Sequence, residues 1–192
     1  SSTDPYLWMN AAEVTFLRAE GALRGWDMGG DAQALYEKAI ALSFEERGGT
    51  TGADRYVKDT EKKPIDYVNP MDGADIKYSH SAVSTITIAW EPGAENFERN
   101  LERIITQKWI AMFPLGIEAW CEHRRTGYPK FLPIMDNKGV GITNLTLGIR
   151  RLSYPAEEYQ LNAENMLGAL RKLNGEDNGA TRLWWDCNPN VK

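Results

Sequence analysis

Glu45-Glu46 and Glu157-Glu158 are the acidic pairs that invite an acid–base reading. Two carboxyl groups flanking one bond can serve as general acid and as base or nucleophile, which is what glycoside hydrolysis needs. Adjacent residues on a helix point to different sides, so each pair diverges and reads as a solvated helix face. A glycoside hydrolase fragment is therefore the third reading of the chain, to be settled by an assay of reducing-sugar release. There is no Gly-x-Ser-x-Gly elbow and no phosphate loop, and the glycines at Gly139 and Gly141 are too closely spaced to make one. No catalytic residue is assigned. Cys121 and His123 lie two apart on an expected helix and face apart, and two histidines with two cysteines do not make a zinc site. Asp54, Asp59, Asp66, Asp72 and Asp75 lack the spacing of a calcium hand, and a looser calcium site stays open. No metal and no cofactor are expected.

The aromatic residues are the stronger lead. The chain holds seven Trp, eight Tyr and five Phe. Sugars present flat C–H faces that aromatic rings can cover while nearby amides and carboxylates bind the hydroxyls. Tyr67, Tyr78 and Trp90 lie in or beside a long loop region and are the candidate ligand-binding rings. Trp109 and Trp120 sit on apolar helix faces and are expected in the core. Arg124-Arg125 and Arg150-Arg151 read as buried or partly buried ion pairs that lock loops to helices. Asn144-Leu145-Thr146 matches a glycosylation acceptor, a pattern that is common by chance.

These residues need a scaffold. At 192 residues the chain is expected to form one domain over 1–192, large enough to bury a sizeable core. Hydrophobic residues make up 42% and charged residues 26%, as in ordinary globular domains, which argues against disorder over the whole length. The 22 Lys and Arg against 27 Asp and Glu leave a net charge of −5, which argues against nucleic acid as a partner. No run approaches the roughly 18 apolar residues of a membrane span. The first residues show no basic segment followed by an apolar run, hence no signal peptide. That fits a cytoplasmic protein, a mature chain or a portion of a longer one. Cys121 and Cys187 can pair once or not at all.

Residues 1–47 read as a helical hairpin. Asp4 caps the first helix with Pro5 at its first position, and Leu7, Ala11, Val14, Leu17 and Gly21 mark one face. Gly25, Gly29 and Gly30 break the pattern, and Asp31 caps a second helix with rows Leu35, Ala39, Leu42 and Tyr36, Ile40, Phe44. Small residues on one helix and larger ones on the next resemble a tetratricopeptide unit, which needs neighbours to cover its faces. One face of residues 7–22 is therefore expected to be partly exposed or to pair with another copy. Residues 48–94 read as a loop-rich insertion with a short extended segment at Thr85-Ile86-Thr87-Ile88-Ala89-Trp90. Residues 95–192 return to helices and loops. Leu101, Ile104, Ile105, Lys108, Trp109 and Met112 follow the helical period, with Glu98, Arg99, Glu102 and Arg103 on the other side and Pro114 at the end. A short helix carries Leu115, Ala119 and Trp120. A last helical stretch opens at Pro155 and stops at Asn174-Gly175.

Several segments, taken in order, resemble one family. Arg18-Ala19-Glu20-Gly21-Ala22-Leu23-Arg24-Gly25-Trp26 with Tyr36-Glu37-Lys38-Ala39-Ile40 is similar to the last repeat-like hairpin of SusD/RagB-type outer-membrane lipoproteins. Ile104-Ile105-Thr106-Gln107-Lys108-Trp109-Ile110-Ala111-Met112 continues the match. Gly116-Ile117-Glu118-Ala119-Trp120 and Arg124-Arg125-Thr126-Gly127-Tyr128-Pro129 are its strongest part. Arg150-Arg151-Leu152-Ser153-Tyr154-Pro155, Glu158, Asn162 and the closing Leu183-Trp184-Trp185-Asp186 complete it. The resemblance implies a mainly α fold, a TPR-like α/α superhelical (SusD-like) C-terminal portion with long irregular loops and little strand. It implies a surface-exposed lipoprotein of the cell outer membrane that captures glycans or other oligomeric nutrients without catalysis. The implied partner is a SusC-like TonB-dependent transporter, and the implied membrane contact is a lipid anchor missing from this chain. The matched motifs look structural, so no binding residue is carried over from them. The alternative is a protein-interaction module that docks the transporter, with ligand contacts elsewhere in the full-length protein; deleting residues 50–80 would separate the two.

Overall fold

The structure is a computed structural model that describes residue 3 and residues 7–49, 51–71, 78–139, 141–142, 144 and 148–188. Its elements, in order, are α1 (Ala11–Leu23), α2 (Ala32–Glu46), the single turn α3 (Ala53–Tyr56), a 3-10 turn (Ala94–Asn96), α4 (Phe97–Ala111), α5 (Gly116–Thr126), α6 (Ala156–Leu161) and α7 (Ala163–Leu173). The backbone contacts group the chain into two compact units. The first comprises Ser1–Ile65, Ala82–His123 and Tyr128–Lys130; the second comprises Asp66–Ser81, Arg124–Gly127 and Phe131–Lys192.

In the first unit α1 and α2 form the expected hairpin. The expected cap at Asp4 and Pro5 lies outside the described residues. Asn10 caps α1 instead, its side-chain oxygen accepting from the Glu13 N–H at 2.7 Å. Glu46, expected on a solvated face, also serves this end: its Oε1 accepts from the N–H groups of Ala11 and Ala12 at 2.9 and 3.2 Å. An acidic group there answers both the orphan donors and the helix dipole. Asp31 caps α2 as the sequence indicates, accepting from Ala34 N–H at 2.9 Å. Between the helices, Arg18 donates to the Met28 carbonyl from Nε and Nη2 at 3.0 and 2.7 Å. A Cβ at Gly21 would meet Met28 Sδ at 2.6 Å, so any larger residue there makes the Met28 side chain shift.

Much of the apolar row of α1 is exposed, one of the two outcomes expected for the face of a lone hairpin. Leu7 precedes the helix, and Val14 and Leu17 are exposed. Ala12, Phe16 and Ala19 are buried instead, with Leu35, Tyr36, Ala39 and Ile40 of α2 and Leu101, Ile104 and Ile105 of α4. The small alanines let two helices approach, and Phe16 fills the space between, its ring 6.3 Å from that of Tyr36. Each large side chain so buried contributes about 1.5–3 kcal/mol.

The α4 helix is buried on more sides than expected. Glu102 and Arg103, assigned to the outer face, are both buried, while Trp109, assigned to the core, is 39% exposed. The reason is residues 84–90. They form no strand ladder among the described residues, yet they cover α4 through side-chain bonds. Ser84 Oγ donates to Glu102 Oε1 at 2.5 Å, Arg103 Nε donates to the Thr87 carbonyl at 3.0 Å, and Tyr36 OH donates to the Ile88 carbonyl at 2.8 Å. Trp120, also expected in the core, is half-buried.

In the second unit α6 and α7 pack on each other. The expected single stretch from Pro155 breaks at Asn162, and Asn174 ends α7 in the left-handed conformation, φ 56°. Of the expected apolar row, Met166 is buried and Leu167 exposed. Tyr67 and His80 form an antiparallel bridge, each N–H donating to the other's carbonyl at 2.9 Å.

Candidate functional site

The candidate rings fall in different surroundings. Tyr67 and Tyr78 belong to the second unit and both are exposed. The bridge brings them near each other, since Tyr67 pairs with His80, two residues beyond Tyr78. Asn69 N–H donates to Ser79 Oγ at 2.9 Å and ties the same two arms. Trp90 belongs to the first unit and is partly buried, its ring 5.6 Å from Tyr36. The indole packs in part against the core and stays partly exposed.

The charged residues are arranged as locks. In the first unit Glu91 takes Arg99 Nε at 2.6 Å and Nη2 at 2.8 Å, and Arg103 Nη2 at 2.6 Å. The hydrogen bond from Arg99, then those from Arg103 and their charges, hold its carboxyl down at about 2 against the opposing effect of burial. Glu102 is paired with Lys130 at 3.0 Å, and Lys108 with Glu122 at 3.3 Å. Beside the latter pair, Glu13 is buried and its Oε2 has no hydrogen-bond partner among the described residues. Burial pushes its carboxyl up, and Glu118 and Glu122 add to this against the pull of Lys108.

In the second unit Arg150 grips Asp186 with Nε and Nη2 at 2.8 and 2.6 Å. Its Nη2 also donates to the Arg124 carbonyl, and Arg124 Nη1 returns a bond to the Arg150 carbonyl, both at 2.7 Å. Arg151 pairs with Asp177 at 2.5 Å, and Tyr154 N–H and Tyr159 OH donate to the same carboxylate. The arginine pairs thus lock loops, as their sequence suggests, by ion pairs at Arg150 and Arg151 and by a carbonyl bond at Arg124. The carboxylates in these locks are bound to cations, and among the described residues no His, Cys, Asp and Glu group could hold a metal ion. Asp59 accepts from the N–H groups of Lys62 and Glu61, which hold its carboxyl below the ordinary range. Asp72 and Asp75 lie outside the described residues, as do Leu145 and Thr146 of the glycosylation pattern. Both cysteines are free thiols.

A cleft of about 770 Å³ opens in the second unit, lined by Tyr154, Lys172, Asn174, Thr181, Arg182 and Trp184, among others. No local pattern marks it, because its residues come from before α6, from the end of α7 and from the loop after it. The one signal in the sequence is Trp184, within the family-matching Leu183-Trp184-Trp185-Asp186.

The SusD-like family, described as SusD and RagB outer membrane lipoproteins, matches residues 1–186, and the chain belongs to that family. Solved structures agree. A SusD homologue from Bacteroides thetaiotaomicron is 48% identical with a TM-score of 0.87, over 97% of this chain and 39% of that one. A chitin-binding SusD homologue from Flavobacterium johnsoniae is 48% identical with a TM-score of 0.85, over 95% and 37%. A SusD homologue from Bacteroides uniformis is 48% identical with a TM-score of 0.87, over 98% and 38%. The chain therefore spans about two fifths of the length of these relatives. No curated protein matches it. The mainly helical, TPR-like fold expected from the sequence is the fold of this family. Among the described residues no helix is long and apolar enough to cross a membrane.

Proposed function

We propose that the chain is part of a surface protein of the outer membrane that binds glycans or other oligomeric nutrients, without transforming them, for import through a SusC-like TonB-dependent transporter. One observation carries this reading: membership of the SusD-like family over residues 1–186, with a chitin-binding homologue at 48% identity. The exposed rings of Tyr67 and Tyr78 supply the flat apolar surfaces that sugar faces need, and Trp90 adds the part of its ring that is not buried. The carboxylates of the locks hold backbone and cations in place, a structural task. The protein reaches the membrane through a lipid anchor.

The test is a glycan array followed by titration calorimetry on the full-length protein. A bound oligosaccharide whose affinity falls about ten-fold in Tyr67→Ala and Tyr78→Ala supports the reading. No glycan bound, or release of reducing sugar on incubation, overturns it. A second reading, a module that docks the transporter, draws on the exposed Ile110, Phe113 and Ile117 where α4 meets α5. Loss of the transporter complex in Phe113→Ser and Ile117→Ser with glycan binding intact would favour it. Point variants suit the question better than deleting residues 50–80, because Val57 and Tyr56 pack in the core.

A further inference from the structure

The cleft of the second unit carries chemistry that Tyr67 and Tyr78 do not use. Trp184 on its wall is 89% exposed, a large indole surface held toward solvent. Such a ring is an anchor in search of a flat apolar partner. Beside it the cleft holds two cations. Lys172 stands exposed in the last turn of α7. Arg182 uses Nη1 on the Asp186 carbonyl at 3.2 Å, while its Nη2 is buried with no hydrogen-bond partner among the described residues. That atom is enclosed, so Arg182, half-buried on the cleft wall, brings the site its charge and not that donor.

Among the described residues, the one carboxylate on the cleft wall does not offset these cations. Asp186 is fully engaged by Arg150 at 2.6 and 2.8 Å, and both side chains are almost completely buried. The wall is therefore cationic, with an aromatic face and the neutral hydrogen-bonding groups of Asn174, Thr181 and Tyr154. A carboxylate suits a cationic wall, and a pyranose ring matches an indole face.

We propose that this cleft is a binding subsite for an acidic sugar, the carboxylate of a uronic acid unit meeting Arg182 and Lys172 while its ring covers Trp184. The inference rests on the glycan-binding reading and adds a second site and a charge class to it. Recognition by charge makes binding at this site weaken with added salt.

The test uses calorimetry on the full-length protein with three probes: a galacturonate oligosaccharide, a sulfated galactan oligosaccharide and a neutral chito-oligosaccharide. Expected is binding of the galacturonate probe that falls about ten-fold in Arg182→Gln and in Trp184→Ala, less in Lys172→Gln, and further with salt. Affinity for the chito-oligosaccharide should be unchanged in these variants. A protein that binds the neutral probe and not the galacturonate sinks this proposal and leaves glycan capture standing; one that binds neither sinks both. Galacturonate binding that survives all three substitutions, or that is lost only in Tyr67→Ala, also overturns it. So does binding of the sulfated probe alone. If Trp184→Ala lowers the melting temperature by more than a few degrees, the ring is a packing surface and the subsite is refuted.

Discussion

Asp186→Asn tests the central lock of the second unit. Arg150 and Asp186 expose only 2% and 1% of their side chains, and two bonds of 2.8 and 2.6 Å join them. The guanidinium also reaches the Arg124 carbonyl, while the Arg150 N–H donates to the Gly179 carbonyl at 2.7 Å. Residues 124–127, the turn at 150 and the segment 179–186 therefore meet at one side chain. The substitution keeps the shape and removes the charge, leaving a buried cation without its counter-ion. Breaking a buried pair on one side costs about 3–5 kcal/mol. At about 2–4 °C per kcal/mol for a chain of this size, the melting temperature should drop by roughly 6–20 °C. Urea unfolding at pH 7 should show a lower midpoint with an unchanged slope. Replacing both partners, Arg150→Met with Asp186→Leu, removes the stranded charge and should recover at least half of the loss. The reasoning is refuted if Asp186→Asn lies within about 1 kcal/mol of the parent, where a screened surface pair would put it. It is refuted equally if the double variant is no more stable than the single one.

Other outcomes follow from the same geometry. The Glu91 carboxyl is held at about 2 when folded against an ordinary 4.5, so its clamp stabilises the protein above about pH 4.5 and is lost as pH falls toward 2. Glu91→Gln should remove that segment of the acid-unfolding curve, and a curve identical to the parent's would refute the clamp. Glu13 behaves in the opposite sense: its folded carboxyl lies above its unfolded value, so stability declines as pH rises from 4.5 through the folded value. Glu13→Gln should raise the melting temperature at pH 7 and leave it unchanged at pH 4, as calorimetry would read. Tyr36→Phe leaves the Ile88 carbonyl without its donor and should cost about 1–3 kcal/mol by urea unfolding. Asn174→Ala puts a β-carbon-bearing residue with no local hydrogen bond at φ 56° and should cost about 1 kcal/mol.

Much of the scaffold was legible because its signals are local. Asp31, the glycines at 25, 29 and 30, and the rows of α2 specify a helix, its start and the turn before it within a few residues. The Arg150-Arg151 pair announced its ion pairs, since paired guanidinium groups near apolar segments need acceptors. The ordered motifs placed the chain in its family. Local signals also misled. The spacing of Leu7, Val14 and Leu17 describes a helix face, but burial depends on what lies across it, and α2 and α4 press on Ala12, Phe16 and Ala19 instead. Glu102 and Arg103 looked solvated because charge usually is, and they are buried because Ser84 and Thr87 bring bonding groups from about sixteen to eighteen residues away.

The sequence by itself determined most of the helices, though not all of their ends, and the family to which they belong, because propensity, capping and periodicity act over one or two turns. Only the tertiary structure decided which faces are covered, that Trp90 leans on Tyr36, that Tyr67 meets His80, and that Trp184 shares a cleft with Lys172 and Arg182. Those facts depend on contacts between residues distant in the chain, and such contacts leave no period in the sequence that carries them.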